Sequence, residues 1–385
     1  MTGPAKKRPL AEQDVGSLQL LKPLSRLATL LHEDAGHQNR LLHHDQLLCL
    51  LLLMFFNPVI TSLRDLEELS GLKKVQRKLG IPRFGKSTIA EALRVFEPGL
   101  LAEVAEELAG RVPQLKSGPL SGLGQVLTAV DGTLLRALPR MAWALWIDER
   151  NRAAKLHVCF EVLKGVPSVL GVTEGTASET EFLADNLRSG CLYVTDRGYA
   201  RYSLFQQIIE AESSFVARIR ANAATETVEE RALSEDDRRS GVVSDRIVRL
   251  GRPDGSQGLK EPLRLVEVQA GTRSGRSLML LATDRTDLPA HIIALIYRHR
   301  WQVELFFRWL KDTLKFKHLL TDSPGGVTIQ VYAAIIGTLL TAIIAGRKPG
   351  KRAWVMISLY VQGLADEEEL AAALHRLPHI SPIQA

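Results

Sequence analysis

Cysteine is scarce in this 385-residue chain: Cys49, Cys159 and Cys191 stand far apart, and none falls in a CxxC pair. That excludes a disulfide framework and a cysteine-rich zinc module, and it suits a reducing cytosol. Long apolar runs are missing as well. Residues 47–56 are too few to cross a bilayer, which takes about 20. Residues 331–345 are interrupted by Gly337, Thr338 and Thr341 and read as a buried helix. The basic cluster Lys6, Lys7 and Arg8 is not followed by the apolar stretch of a secretory signal, so no membrane is expected and a cytoplasmic location is. Acid is in slight deficit, 43 Asp and Glu against 49 Lys and Arg, and the net charge of +6 leaves polyanions open as partners. No compositional bias is present. With 45 % hydrophobic and 24 % charged residues the chain is neither disordered nor fibrous, and its length suits two or three domains.

Three textures follow one another. Residues 10–115 read as helical, with Leu18, Leu20, Leu21, Leu24, Leu27, Leu30 and Leu31 near the helical period and punctuation at Asn57-Pro58, Gly71 and Gly80-Ile81-Pro82. After a junction at 117–122, short apolar runs alternate with helical ones. Strands are expected at 125–130, 155–163, 166–173, 191–195 and 214–220, and helices at 179–187 and 202–212. That is a mixed α/β sheet. Residues 221–275 turn polar and Gly-containing with short alternating pieces, which suggests a small β-rich insertion. A last strand at 278–283 precedes a long helix over 290–316, and helical segments fill the remainder apart from a basic loop at 347–352.

Two carboxylates, Asp131 and Asp196, stand at the carboxyl ends of expected strands, where α/β sheets gather ligands. The Asp-Gly and Asp-Arg-Gly contexts also suit simple turns. Downstream, Tyr297, Arg300, Glu304 and Lys311 fall within an arc of about 60° on one helix. Three acids with cations beside the third are what two-metal phosphoryl transfer needs. Mg²⁺ takes a few carboxylates plus water and phosphate oxygens, and two ions about 4 Å apart serve the attacking and leaving oxygens. Arg300 and Lys311 would hold phosphate oxygens.

Thr128-Ala129-Val130-Asp131-Gly132-Thr133, Tyr193-Val194-Thr195-Asp196-Arg197-Gly198-Tyr199 and the helix with Tyr-x2-Arg-x3-Glu-x6-Lys resemble the bacterial insertion-sequence DDE transposases with the YREK signature. Trp301, Phe307 and Leu310 fit the same context, and the likeness extends over most of the chain. The resemblance implies an α/β RNase H-like core with a β-rich insertion between the second Asp and the Glu. It implies that Asp131, Asp196 and Glu304 bind two Mg²⁺ or Mn²⁺ ions and that Tyr297, Arg300 and Lys311 grip phosphates of the transposon end. The implied partners are double-stranded DNA, both terminal inverted repeats and target, and a second copy of the chain in a synaptic dimer; the implied place is the bacterial nucleoid. The implied reaction is nicking, hairpin formation by the freed 3′-OH, reopening and strand transfer. One departure stands out: residues 221–290 contain no Trp, Tyr or Phe to stack a displaced base. Trp301, Trp143 or Trp146 would have to substitute, or the hairpin route is not used.

The expected organisation is a helical DNA-binding domain (1–118), a first part of the core (119–220), the insertion (221–277), a second part with the Glu-bearing helix (278–320) and a C-terminal helical region (321–385). Lys73, Lys74, Arg77, Lys78, Arg83 and Lys86 are basic with no acid among them, on short helices that suit a helix-turn-helix-like reader of the terminal repeat. Residues 80–87 also fit the phosphate-loop pattern GxxxxGK(S/T), but no hydrophobic strand precedes them, and Thr88-x-x-Glu91 reads as a capping box. Nucleotide binding is therefore not expected. His43, His44, His157, His299 and His318 share no ligand spacing and read as structural. The alternatives to the enzyme are a catalytically silent, transposon-derived DNA-binding protein and a P-loop nucleotide-binding protein.

Overall fold

The computed structural model describes residues 41–112, 118–136, 141, 143–144, 146–148, 151–251, 259, 261–272, 275–313, 319–346 and 350–376. The leucine pattern at 18–31, the basic cluster at 6–8, His318 and residues 347–349 of the basic loop lie outside them. The chain folds as two compact units, one of Met1–Pro113, Leu135–Ala154 and Arg308–Ala385, the other of Gln114–Leu134 and Lys155–Phe307.

The first unit is built around the helix Pro324–Ala345, which is apolar on nearly every side. As expected for 331–345, it is a core helix, buried over 331–342 apart from Tyr332 and packed against the helices His44–Phe56, Lys86–Val95 and Gly99–Arg111. The ends are chemically marked. Ser323 caps the first turn by accepting the Gly326 N–H, Pro324 starts the helix, and Gly346 ends it at a left-handed φ of 63°. This is the one helix among the described residues long and apolar enough to cross a membrane. Helices Leu63–Gly71, Lys73–Leu79 and Lys86–Val95 form the short helical cluster expected around Gly80.

The strands, in chain order, are β1 (Val126–Arg136), β2 (Trp146–Asp148), β3 (Asn151–Glu161), β4 (Val166–Glu174), β5 (Cys191–Thr195), β6 (Ser214–Ile219), β7 (Thr225–Glu230), β8 (Val242–Leu250), β9 (Leu263–Thr272) and β10 (Gly275–Thr283). In the second unit they lie in the order β3-β1-β5-β6-β10-β9-β8-β7, with β4 on β3. β1, β5 and β6 are mutually parallel, and β6 to β10 is antiparallel, as are β10-β9, β9-β8 and β8-β7. The order β4-β3-β1-β5-β6 is the RNase H-like core. Helices Glu179–Asp185 and Tyr202–Glu210 cover it, over a cluster that includes Tyr193, Phe205 and Phe215.

Three expectations change. β1 does not stop at Asp131-Gly132 but runs on to Arg136, because Thr133, Leu134 and Leu135 suit a strand. The segment 221–277 is β-rich as expected, but its strands β7, β8 and β9 extend the core sheet through β10. The long helix over 290–316 is instead Ala290–Arg298, then Trp301–Arg308, then a π turn at Trp309–Thr313.

A fully buried ion pair fixes the sheet extension to the segment leading into the Glu304 helix. Arg264 donates from Nε and Nη2 to the Asp245 carboxylate, both at 2.8 Å, and from Nη1 to the carbonyls of Arg285 and Leu288. Removing one partner of such a pair strands a buried charge. Arg264→Ala is expected to destabilise the protein by about 3–5 kcal/mol. A denaturation midpoint unchanged by that substitution would refute this role.

Candidate active site

The parallel pairing of β1 with β5 sets Val126 opposite Cys191 and Ala129 opposite Val194. Carried two residues further, the same offset brings Asp131 level with Asp196. Adjacent strands lie about 4.8 Å apart. Asp131 therefore projects from within a strand and Asp196 from just beyond the next one. Asp131 Oδ1 accepts the Gly132 N–H at 2.8 Å, and its Oδ2 lies 3.7 Å from Arg300 Nη1. Asp196 caps the single turn Arg197–Tyr199, its Oδ1 accepting the Arg197 N–H at 2.7 Å. The same oxygen accepts the Tyr297 hydroxyl at 3.3 Å and lies 4.0 Å from Arg218.

The third carboxylate, Glu304, accepts from Arg300 Nη2 at 2.6 Å. One guanidinium, 13 % exposed, thus touches two of the three acids, and the buried Tyr297 reaches the other. The helix break makes this geometry. At 299–303 the amides of Arg300, Gln302 and Val303 bond three residues back, a tighter turn than the α-helix, between two helical segments. Phe306, packed on Phe160 with ring centroids 5.4 Å apart, holds the second segment on β3.

Burial pushes the Asp131 carboxyl up to about 6, against the opposing pull of the Gly132 N–H and Arg300, with Glu179 and Glu304 pushing the same way. Burial likewise raises the Tyr297 hydroxyl to about 12, with Asp196 adding to it. Hard oxygen donors of this kind suit Mg²⁺ or Mn²⁺. Among the described residues no three His, Cys, Asp or Glu stand ready to hold an ion as they are. Arg300 lies between Asp131 and Glu304 and satisfies both.

Residues not anticipated from sequence complete the surroundings. Glu179, the first residue of Glu179–Asp185, lies against Gly132 and 3.4 Å from Lys155 Nζ, and Arg218 flanks Asp196. Gly132 lies inside β1 rather than in a turn, and a glycine within a strand marks such a close approach. Of the other residues singled out, Lys311 sits on the π turn of the first unit, where burial lowers its ammonium. Trp143 donates to the Asp322 carbonyl at 2.7 Å and Trp301 is half-exposed, while the side chain of Trp146 lies outside the described residues. His157 is buried, its Nε2 bonded to Thr173 Oγ1 at 2.8 Å.

Lys73, Arg77, Arg83 and Lys86 are exposed and Lys74 half-buried; the side chain of Lys78 is outside the described residues. Arg83 pairs with Glu67 at 3.4 Å. The phosphate-loop pattern follows the helix Lys73–Leu79 rather than a strand. Glu67 Oε2 accepts the Lys86 N–H at 3.2 Å, so an acid occupies the position where a phosphate would be cradled. The helix starts at Lys86 with Gly85 as its cap, so Thr88 lies inside it and forms no capping box.

Residues 122–340 match the family model described as a transposase DDE domain. The chain is 30 % identical over 260 residues to the transposase y4zB of Sinorhizobium fredii, a match covering 67 % of this chain and 71 % of that one. It is 25 % identical over 263 residues to the transposase of insertion sequence element IS5377 of Geobacillus stearothermophilus, covering 68 % and 67 %. Among solved structures, piggyBac transposase in a synaptic complex with hairpin DNA aligns at 10 % identity and a TM-score of 0.43, over 97 % of this chain and 86 % of that one.

A carboxyl raised from 3.8 to about 6 binds its proton more readily in the folded state. Its contribution to stability therefore falls as pH rises through that window and is unfavourable above it. Asp131→Asn is expected to stabilise the protein by about 1–3 kcal/mol at pH 7.5 and to give no gain near pH 3.5. Urea denaturation at the two pH values checks this, and a loss of stability at both would refute it.

Proposed function

Because this chain belongs to the DDE transposase family, we propose that it excises and inserts its own mobile element, cutting at the terminal inverted repeats and joining the freed 3′-OH ends to target DNA. The observation that supports this reading is that Arg300 contacts both Asp131 and Glu304 while Tyr297, one turn away, donates to Asp196. Asp131, Asp196 and Glu304 are the residues to hold two Mg²⁺ or Mn²⁺ ions. When bound, such ions supply positive charge for the attacking and leaving oxygens of an in-line displacement.

The chain's own residues do the rest. Arg300 presents a fork suited to two phosphate oxygens, and Lys311 adds a point charge. Tyr297 offers its hydroxyl to the same backbone. A phosphate beside Arg300 competes with Asp131 and Glu304 for the guanidinium, so DNA binding frees the acids. The proposed route is cut-and-paste. Water breaks one phosphodiester bond, the released 3′-OH attacks a phosphodiester of the opposite strand and displaces the flanking strand's 3′-oxygen to close a hairpin, and water reopens that bond before transfer.

The region 1–118 is proposed to read the terminal repeat, with Lys73, Lys74, Arg77, Lys78, Arg83 and Lys86 meeting its phosphates. Phosphate contacts position a protein without carrying sequence information. A second copy would hold the other end.

Glu304→Gln keeps the shape of the side chain and removes its charge. It is expected to leave repeat binding in place while abolishing Mg²⁺-dependent nicking, measured on labelled repeat DNA; undiminished nicking would remove Glu304 from the reaction. Lys86→Ala is expected to weaken repeat binding and to reduce the salt slope of log K by about 1. An unaltered slope in a salt titration would place Lys86 away from DNA.

A further inference from the structure

We propose that Glu179 is a positioning residue of this reaction, whose carboxylate holds the Asp131 strand and the Asp196 turn together and adds negative charge beside them. The proposal rests on the reading above, in which Asp131 and Asp196 hold the metal ions. Three contacts carry it. A Cβ at position 132 would lie 2.8 Å from Glu179 Oε1 and 2.9 Å from its Cδ, so the carboxylate fills the space that Gly132 leaves beside Asp131. The buried Tyr199, which ends the turn that Asp196 caps, lies close enough to Glu179 for the carboxylate to help burial push its hydroxyl up. Lys155 of β3 lies 3.4 Å from Glu179 Oε1, and its Nζ also donates to the Ala177 carbonyl at 2.8 Å, just ahead of the helix.

One side chain therefore links three strands at the end where the acids gather. The local fold supplies its placement. Ser178 caps the helix by accepting the Glu181 N–H, which leaves Glu179 as the first helical residue, free of the capping bond. Packing alone does not require an acid here. Glu179 is close enough to Asp131 for their charges to repel, so a neutral side chain of the same shape would relieve the folded protein of that repulsion. A divalent cation reverses the account, since it is drawn by negative charge in excess of what Arg300 and Lys155 neutralise. The glycine has the same logic: it weakens a strand interior, and here it makes room for Glu179.

The test uses the full chain and Mn²⁺ alone, with binding read by electron paramagnetic resonance and nicking followed separately on repeat DNA. Glu179→Gln is expected to raise the Mn²⁺ concentration for half-saturation about tenfold, and that for half-maximal nicking in parallel, with repeat binding unchanged and the thermal unfolding midpoint not lowered. Gly132→Ala is expected to reproduce the shift by displacing the carboxylate. In a Glu179→Ala background the same glycine substitution should add nothing further. Unchanged Mn²⁺ binding in folded Glu179→Gln, or a silent Gly132→Ala, overturns the proposal. Asp131→Asn separates it from the reading beneath it. Loss of Mn²⁺ binding in Asp131→Asn but not in Glu179→Gln defeats the role of Glu179 alone. Retention of Mn²⁺ binding in Asp131→Asn defeats the metal assignment, and the role of Glu179 with it.

Discussion

Everything at this site depends on the parallel register between β1 and β5. Side chains alternate across a strand, so a slip of one residue would send either aspartate to the opposite face. The register is held by apolar contacts rather than by the acids themselves. β5 is buried along its whole length, and Leu127, Ala129 and Val130 are buried on β1, leaving neither strand free to shift without exposing its core. The carboxylates are placed by hydrophobic packing several residues away from them. This is why two aspartates in unremarkable sequence contexts end up side by side.

Such an arrangement brings like charges together in a half-buried setting, which a folded protein tolerates only with compensation. Arg300 is the main compensation, since it remains charged at any ordinary pH and its fork reaches both Asp131 and Glu304. Tyr297 compensates differently, by donating a hydroxyl to Asp196. The two residues whose chemistry best suits phosphate are therefore engaged by carboxylates. On the proposed reading, that pairing makes the acids a stable resting group, and exchange of Arg300 onto phosphate couples arrival of DNA to availability of the acids.

Much of the core was legible in the sequence because its signals are local. The runs read at 191–195 and 214–220 are short, largely apolar and bounded by polar residues, and they form β5 and β6 (Ser214–Ile219) nearly as read. The place of Asp196 at the end of β5 was legible for the same reason. What was not legible depended on partners distant in sequence. Asp131-Gly132 looks like a turn, and only the presence of Glu179 explains a glycine inside a continuing strand. The break at His299 and Arg300 carries neither proline nor glycine, so periodicity ran straight through it. The sheet extension was read as β-rich but not as part of the core sheet, because strand pairing across β10 is a tertiary choice.

The phosphate-loop pattern at residues 80–87 makes the complementary point. Its two glycines are both accounted for without a nucleotide. Gly80 ends one helix in the left-handed region at φ 64°, and Gly85 caps the next. Such a loop binds phosphate through free backbone amides at a helix start, supported by a preceding buried strand. Here the Lys86 amide is taken by Glu67, and the Phe84 amide by the buried Ser70 hydroxyl at 2.9 Å. Occupied amides and an acid at the cradle repel the ligand that the letters advertise. Asp131, Asp196 and Glu304 are dispersed in sequence yet lie around Arg300 and Tyr297. Spacing along a chain acquires chemical meaning only through the donors and acceptors that the fold leaves unsatisfied, or satisfies with groups that can be exchanged.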